Sequence, residues 1–229
     1  MEFPDTCWSV LAHATLKGGP EERAALEKFC RAYWNPVCAC IRARGAPPDR
    51  VEDLTQDFFL HLMEKGMFRR ADQTKGRFRT FLMGALRYFL ANDAEYHRAA
   101  RRGGNLERCE LQDDSVVTEV DELVFDREWA QALLGRALLA VQQESCESRG
   151  AQVWEMLRTW LPGSPQTLGY AQLANAMGVT EGGAKSEVSR LRQRYREALR
   201  REVARTVSQP DEVDSELHHL RAALSAGVV

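Results

Sequence analysis

No apolar run in this 229-residue chain approaches the length of a membrane-spanning helix. The N-terminus also lacks the pattern of a secretion signal, so a cytoplasmic protein is expected. Cysteine is sparse and scattered, at Cys7, Cys30, Cys38, Cys40, Cys109 and Cys146. Without a secretion signal, a chain this long is not expected to rest on disulfides. Cys38 and Cys40 are too closely spaced for a zinc knuckle, and no histidine sits at ligand spacing from them. These thiols are read as core, and no metal site is expected. No glycine-rich phosphate loop, Ser/His/Asp arrangement or fixed-period repeat stands out. Neither an enzyme nor a cofactor-dependent protein is therefore expected, and no catalytic residue is assigned.

Net charge is scarce as well, at −2, although 28% of the residues are charged. The near-zero total conceals segregation. Glu107, Glu110, Asp113, Asp114, Glu119, Asp121, Glu122 and Asp126 crowd one central stretch, while basic groups crowd residues 65–102 and 170–205. Nucleic acids respond to local potential, so local basic blocks suit them whatever the average.

The second basic block organises the reading. In Y-A-Q-L-A-N-A-M-G, Tyr170, Leu173, Ala174 and Met177 lie at helical spacing and Gly178 supplies a left-handed stop. Thr180 is a good N-cap for the following helix, which carries Lys185, Arg190, Arg192, Arg194, Arg196, Arg200, Arg201 and Arg205. Val188 and Leu191 give it an inward face. Two helices joined by a glycine turn, the second rich in arginine, read as a DNA-binding helix-turn-helix. The plainer alternative is a helical hairpin with a solvated basic face.

Taken in order, residues 5–44 read as helical. A short helix over 6–16 ends at a Gly-Gly-Pro breaker, and a second starts near Glu21 and is kinked or restarted by Pro36. Residues 49–66 form an amphipathic helix, with Asp49 and Glu52 as a capping box and Leu54, Phe58, Phe59, Leu62 and Met63 inward. Glu52, Asp53, Gln56 and Asp57 make its outer side acidic. In 74–102, Phe81, Leu82, Ala85, Leu86, Phe89 and Leu90 recur at helical spacing as core. Around them Arg77, Phe78, Arg79, Arg87, Tyr88 and Asn92 mix cations with aromatics, a pattern suited to single-stranded nucleic acid. An acidic, polar linker follows to about Phe125. Helices are then expected over 126–147 and 151–161, and a short amphipathic one over 216–224 with Leu217, Leu220 and Leu224.

The order of these stretches carries a resemblance. D-R-V-E-D-L-T-Q-D-F-F-L-H-L resembles the core-polymerase-binding helix of bacterial sigma-70-family factors of the extracytoplasmic-function type. F-R-T-F-L-M-G-A-L-R-Y-F-L-A-N resembles the same family's promoter-melting helix. Y-A-Q-L-A-N-A-M-G-V-T-E-G-G-A-K-S-E-V-S-R-L-R resembles its −35-reading hairpin. The resemblance implies an all-α fold of two helical domains joined by a flexible acidic linker, the C-terminal one a helix-turn-helix. The corresponding segments are 1–102, a linker 103–125, 126–207 and a tail 208–229. It implies a transcription-initiation subunit without catalysis of its own, whose partners are promoter DNA and core RNA polymerase, through the β′ clamp helices and the β flap. Glu52, Asp53, Leu54, Gln56 and Asp57 are then expected to dock on polymerase. Phe78, Arg79, Phe81, Arg87, Tyr88 and Asn92 are expected at the −10 element. Thr180, Glu181, Gly182, Gly183, Lys185, Ser186, Ser189, Arg190, Arg192 and Arg194 are expected at the −35 element. The competing class is a helix-turn-helix regulator that never forms a holoenzyme.

The sequence departs from the family pattern at Arg50, where an acid is common, at Tyr88, where asparagine is common, and at Gly183 and Ala184, where larger groups stand. Arg50 weakens the acidic docking surface. A phosphate on nearby Thr55 would add about −1.5 to −2 charges and restore attraction to a basic partner, placing the chain under a Ser/Thr kinase rather than an anti-sigma factor. The plain alternative is an ordinary helix-surface threonine.

Overall fold

The structure, a computed structural model, describes residues 20–64, 77–101, 119–165 and 169–226. Among the described residues there are eight α-helices, one 3-10 turn and no strand. The expected helix over 6–16, the loop over 67–73 and the linker residues up to 118 lie outside them.

Helix α1 (Pro20–Ala43) begins at a proline, whose missing N–H falls where no helical bond is made. It also runs through Pro36 without restarting. An internal proline costs a helix ~3 kcal/mol. Tyr33, Val37, Cys40 and Ile41 are all buried around Pro36, and each fully buried side chain of this size contributes roughly 1.5–3 kcal/mol. Packing therefore outweighs the lost hydrogen bond. The helix stops at Gly45 (φ 79°), whose N–H donates to the Arg42 carbonyl at 3.0 Å while that of Ala46 donates to Ile41 at 3.4 Å. This pair of bonds satisfies carbonyls that the helix end leaves open.

A 3-10 turn (Pro48–Arg50) leads into α2 (Val51–Glu64), so Asp49 lies inside the turn and not at the expected cap. Helix α2 buries Val51, Leu54, Thr55, Phe58, Phe59 and Leu62, the i, i+3, i+4 stripe of a one-sided helix. Met63, expected inward, is half-buried. Helix α3 (Phe78–Arg101) buries Phe78, Leu82, Met83, Ala85 and Leu86, with Phe81, Phe89 and Leu90 half-buried. Then come α4 (Glu119–Arg149), α5 (Ala151–Arg158), α6 (Tyr170–Met177), α7 (Glu181–Ala204) and α8 (Glu212–Ser225).

By packing, the chain forms two compact units. One comprises the described residues of 1–132 with those of 204–229, and the other the described residues of Leu133–Val203. The described residues 204–226 group with the N-terminal helices, and helix α4 runs from Glu119 across the limit at Ala132. The first unit is centred on an aromatic cluster. Tyr33 stacks on Trp129 with ring centroids 4.5 Å apart, and Phe78 meets Phe29 edge-on at 5.7 Å and Tyr33 at 5.4 Å. Phe125 lies 5.6 Å from Trp129. Residues at the edge of the expected linker are thus core.

The second unit packs Ala137, Val141, Trp154, Leu157, Trp160, Leu173, Ala174, Ala184, Val188 and Leu191 together. Leu133 is buried and Leu134 half-buried, but Leu138, expected inward, is exposed. The turn from α6 to α7 is set by Gly178, at φ 64°. Its N–H donates to Asn175 at 3.2 Å and that of Val179 to Ala174 at 3.0 Å. A Cβ on Gly178 would meet nothing within 4 Å. The cost of Gly178→Ala is therefore conformational, and we expect it to lower stability by about 1 kcal/mol in denaturant titration. An unchanged midpoint would show that the turn does not need its left-handed residue.

Candidate interaction surfaces

The N-terminal turns of α7 form an open polar surface assembled from the expected residues. Thr180 caps the helix, its hydroxyl accepting the Gly183 N–H at 3.1 Å. Glu181, Gly182, Lys185, Ser186, Ser189 and Arg190 are exposed, with Ala184, Val188 and Leu191 buried on the opposite side. Gly183 is half-buried, and a Cβ there would approach the Val179 Cβ to 3.3 Å. A larger residue at 183 would crowd the turn, which gives a local reason for glycine.

The charges on this face are partly committed. Lys185 Nζ lies 2.8 Å from Glu181 and 5.4 Å from the Tyr170 ring centre. The hydrogen bond and charge of Glu181 raise the Lys185 pKa above its ordinary value, so it is a cation at neutral pH. Glu187 is buried and held by Arg190 at 2.6 Å, with Arg149 at 2.9 Å in a looser ion pair without hydrogen-bond alignment. Two residues expected to reach DNA turn back to the protein. Arg192 donates through Nε to the Trp160 carbonyl at 3.0 Å, and half-buried Arg194 lies 3.5 Å from Glu144. Arg149, Gln193 and Arg196 lie beside this face and with Ser189, Arg190 and Arg194 line an open recess of about 590 Å³. Gln193 and Arg196 continue the 182, 186, 189 spacing, so helical periodicity could have found them. Arg149, from another helix, left no local signal.

On α2, Glu52, Asp53, Gln56 and Asp57 are exposed together, as the spacing predicts. The two acids of the first turn suit the positive end of the helix dipole. Leu54 is buried and supports this surface from beneath instead of forming it. Arg50 lies 3.9 Å from Asp93.

Thr55 is not where a phosphorylation site must be. It is fully buried, with its hydroxyl donating to the Val51 carbonyl at 2.7 Å and lying 3.2 Å from the Cys38 sulfur. The hydroxyl can sit inside because it bonds within its own helix. A kinase needs an exposed hydroxyl, so the Thr55 switch loses its footing. Thr55→Val keeps the shape, and we expect a stability change within about 1 kcal/mol, since one net hydrogen bond is at stake.

On α3 the expected strand-binding residues separate. Phe78 is fully buried in the aromatic cluster, and Phe81 lies half-buried with its ring centre 6.0 Å from that of Phe78. Asn92 is half-buried. Arg79 hydrogen-bonds Glu216 at 2.9 Å and Asp126 at 3.0 Å, and Arg87 pairs with Glu122. Tyr88 is the exposed aromatic of the set, 38% accessible, with its ring centre 6.3 Å from that of His61.

Among the described residues no group of His, Cys, Asp and Glu is arranged to hold a metal ion. No described helix is long and apolar enough to cross a membrane. Comparison with known proteins gives no matching family, no matching curated protein and no matching solved structure.

Proposed function

We propose that the chain is a sigma factor, a dissociable subunit that joins core RNA polymerase and directs promoter-specific initiation. The observation that carries this reading is the outward face of α7. A capped helix presents Glu181, Gly182, Lys185, Ser186, Ser189 and Arg190 on one exposed side, immediately after a glycine turn. In this reading α6 and α7 are a helix-turn-helix whose second helix enters the major groove of the −35 element. Lys185 and Arg190 meet phosphates or guanine edges, and Ser186 and Ser189 meet either. The acidic face of α2, at Glu52, Asp53, Gln56 and Asp57, supports docking on a basic polymerase surface. Tyr88 is the aromatic best placed to stack on an unpaired base of the −10 element.

The burial of Phe78 and the engagement of Arg79 and Arg87 favour a second reading, a regulator that uses α7 alone and forms no holoenzyme. A pull-down of purified chain with core polymerase separates the two. The sigma reading predicts a stoichiometric complex that weakens as salt rises. Binding to duplex DNA with no complex at any salt would leave the regulator.

A further inference from the structure

The three arginines around the start and middle of α3 each face a carboxylate from another helix of the same unit. Arg77 Nη1 lies 2.8 Å from Glu216 Oε2, an ion pair without hydrogen-bond alignment, and its Nη2 donates to the Ser215 hydroxyl at 2.8 Å. Arg79 Nε donates to Glu216 Oε1 at 2.9 Å, and its Nη1 reaches both Asp126 oxygens, at 3.0 and 3.2 Å. Asp126 is also 2.6 Å from His219 Nε2. Arg87 pairs with Glu122. Just before α8, the Thr206 carbonyl accepts the Phe78 N–H at 3.2 Å, at the first residue of α3.

Glu216 is fully buried in the middle of an otherwise apolar stripe of α8, among Val213, Leu220 and Ala223. A carboxylate is rarely placed there unless it is paired. Here it is gripped by two guanidinium groups, the arrangement that protein sites use for a phosphate. Helix α8 itself is 14 residues long, and helices of that length are marginal once detached from a surface.

From this geometry we infer that α8 is a built-in competitor. Glu216 occupies a clamp of Arg77 and Arg79 whose other ligand is a backbone phosphate of a single DNA strand, and the strand enters as α8 lifts. This rests on the reading that α3 handles an opened promoter strand. Glu216 mimics the phosphate charge in the resting chain, and Asp126 keeps Arg79 oriented when Glu216 leaves. The two states exchange one anion for another, so neither leaves the arginines unpaired.

The test uses the full chain and a labelled single-stranded oligonucleotide of mixed sequence, followed by fluorescence anisotropy. Glu216→Gln removes the competing charge, and we expect it to bind about tenfold more tightly than wild type at equal salt, as for a resting state favoured by that factor. Adding Arg77→Ala and Arg79→Ala to that variant should abolish the gain. Hydrogen exchange on the wild-type chain gives a second measurement that no folding defect can compromise. Bound oligonucleotide should strip protection from the α8 amides and leave those of α2 protected. Unchanged α8 protection in the bound state overturns the proposal, as does a folded Glu216→Gln chain that binds no more tightly. Core-dependent transcription separates this inference from the reading beneath it. Exposure of α8 by strand binding without any core-dependent start would keep the clamp and remove the sigma assignment. Core-dependent starts with α8 protected on the strand would do the reverse.

Discussion

Phe78→Ala should destabilise the N-terminal unit by about 3–5 kcal/mol, the usual cost of truncating a fully buried phenylalanine. The ring is fully buried and touches Phe29, Tyr33, Phe81 and Trp129, so little can collapse into the space it leaves. Denaturant unfolding followed by tryptophan fluorescence reads the loss directly, because Trp129 shares the cluster. Tyr88→Ala should behave oppositely, within about 1 kcal/mol of wild type in stability but weaker on single-stranded DNA by about 1–3 kcal/mol. A Phe78→Ala chain with an unchanged unfolding midpoint and lost strand binding would return Phe78 to the DNA face and refute its core role.

The second large effect concerns α2. On the sigma reading, replacing Asp53→Lys and Asp57→Lys together should weaken the proposed complex with core polymerase by about a hundredfold or more, since like charges brought face to face cost several kcal/mol. Both side chains are exposed on the same helix side, so the fold should lose little beyond a favourable dipole contact of about 0.3–1 kcal/mol at Asp53. Duplex binding through α7 should remain. Titration of labelled chain with core polymerase checks the first expectation, and a mobility shift on duplex DNA the second. A double variant that assembles with polymerase as well as wild type would remove α2 from the interface.

Helix periodicity made much of the fold legible. The inward residues of α2, Leu54, Phe58, Phe59 and Leu62, follow from spacing, and so does the acidic face opposite them. Gly45 and Gly178 marked their helix ends because only a residue free to take positive φ closes them cheaply. Polarity alone did not mark which side chains face outward. Thr55 stands at the spacing of Val51, Phe58 and Phe59, and its hydroxyl returns to its own helix, so the stripe should have claimed it. Phe78 likewise continues the buried Leu82, Ala85, Leu86 face, although arginines flank it in sequence.

Glu216 could not have been read from spacing at all. The register of Val213, Leu220 and Ala223 predicts an apolar group at 216, and the arginines that make a carboxylate tolerable there, Arg77 and Arg79, come from a distant part of the chain. The same holds for Arg149 beside Ser189 and Arg190. Pairings between distant helices are decided by packing, and a local pattern carries no trace of them. Residues 126–132 and α8 pack with the N-terminal helices, a grouping that local spacing does not show. The sequence shows the acidic stretch, but not that Phe125 and Trp129 are anchored in an aromatic core.

The proposed function requires that this chain make core RNA polymerase start at promoters. Transcription in vitro with core RNA polymerase on a library of genomic fragments, with and without purified chain, tests it most directly. The account predicts a set of start sites that appear only when the chain is present and that disappear with the Asp53→Lys, Asp57→Lys variant. If every start is independent of the chain, the sigma assignment is wrong.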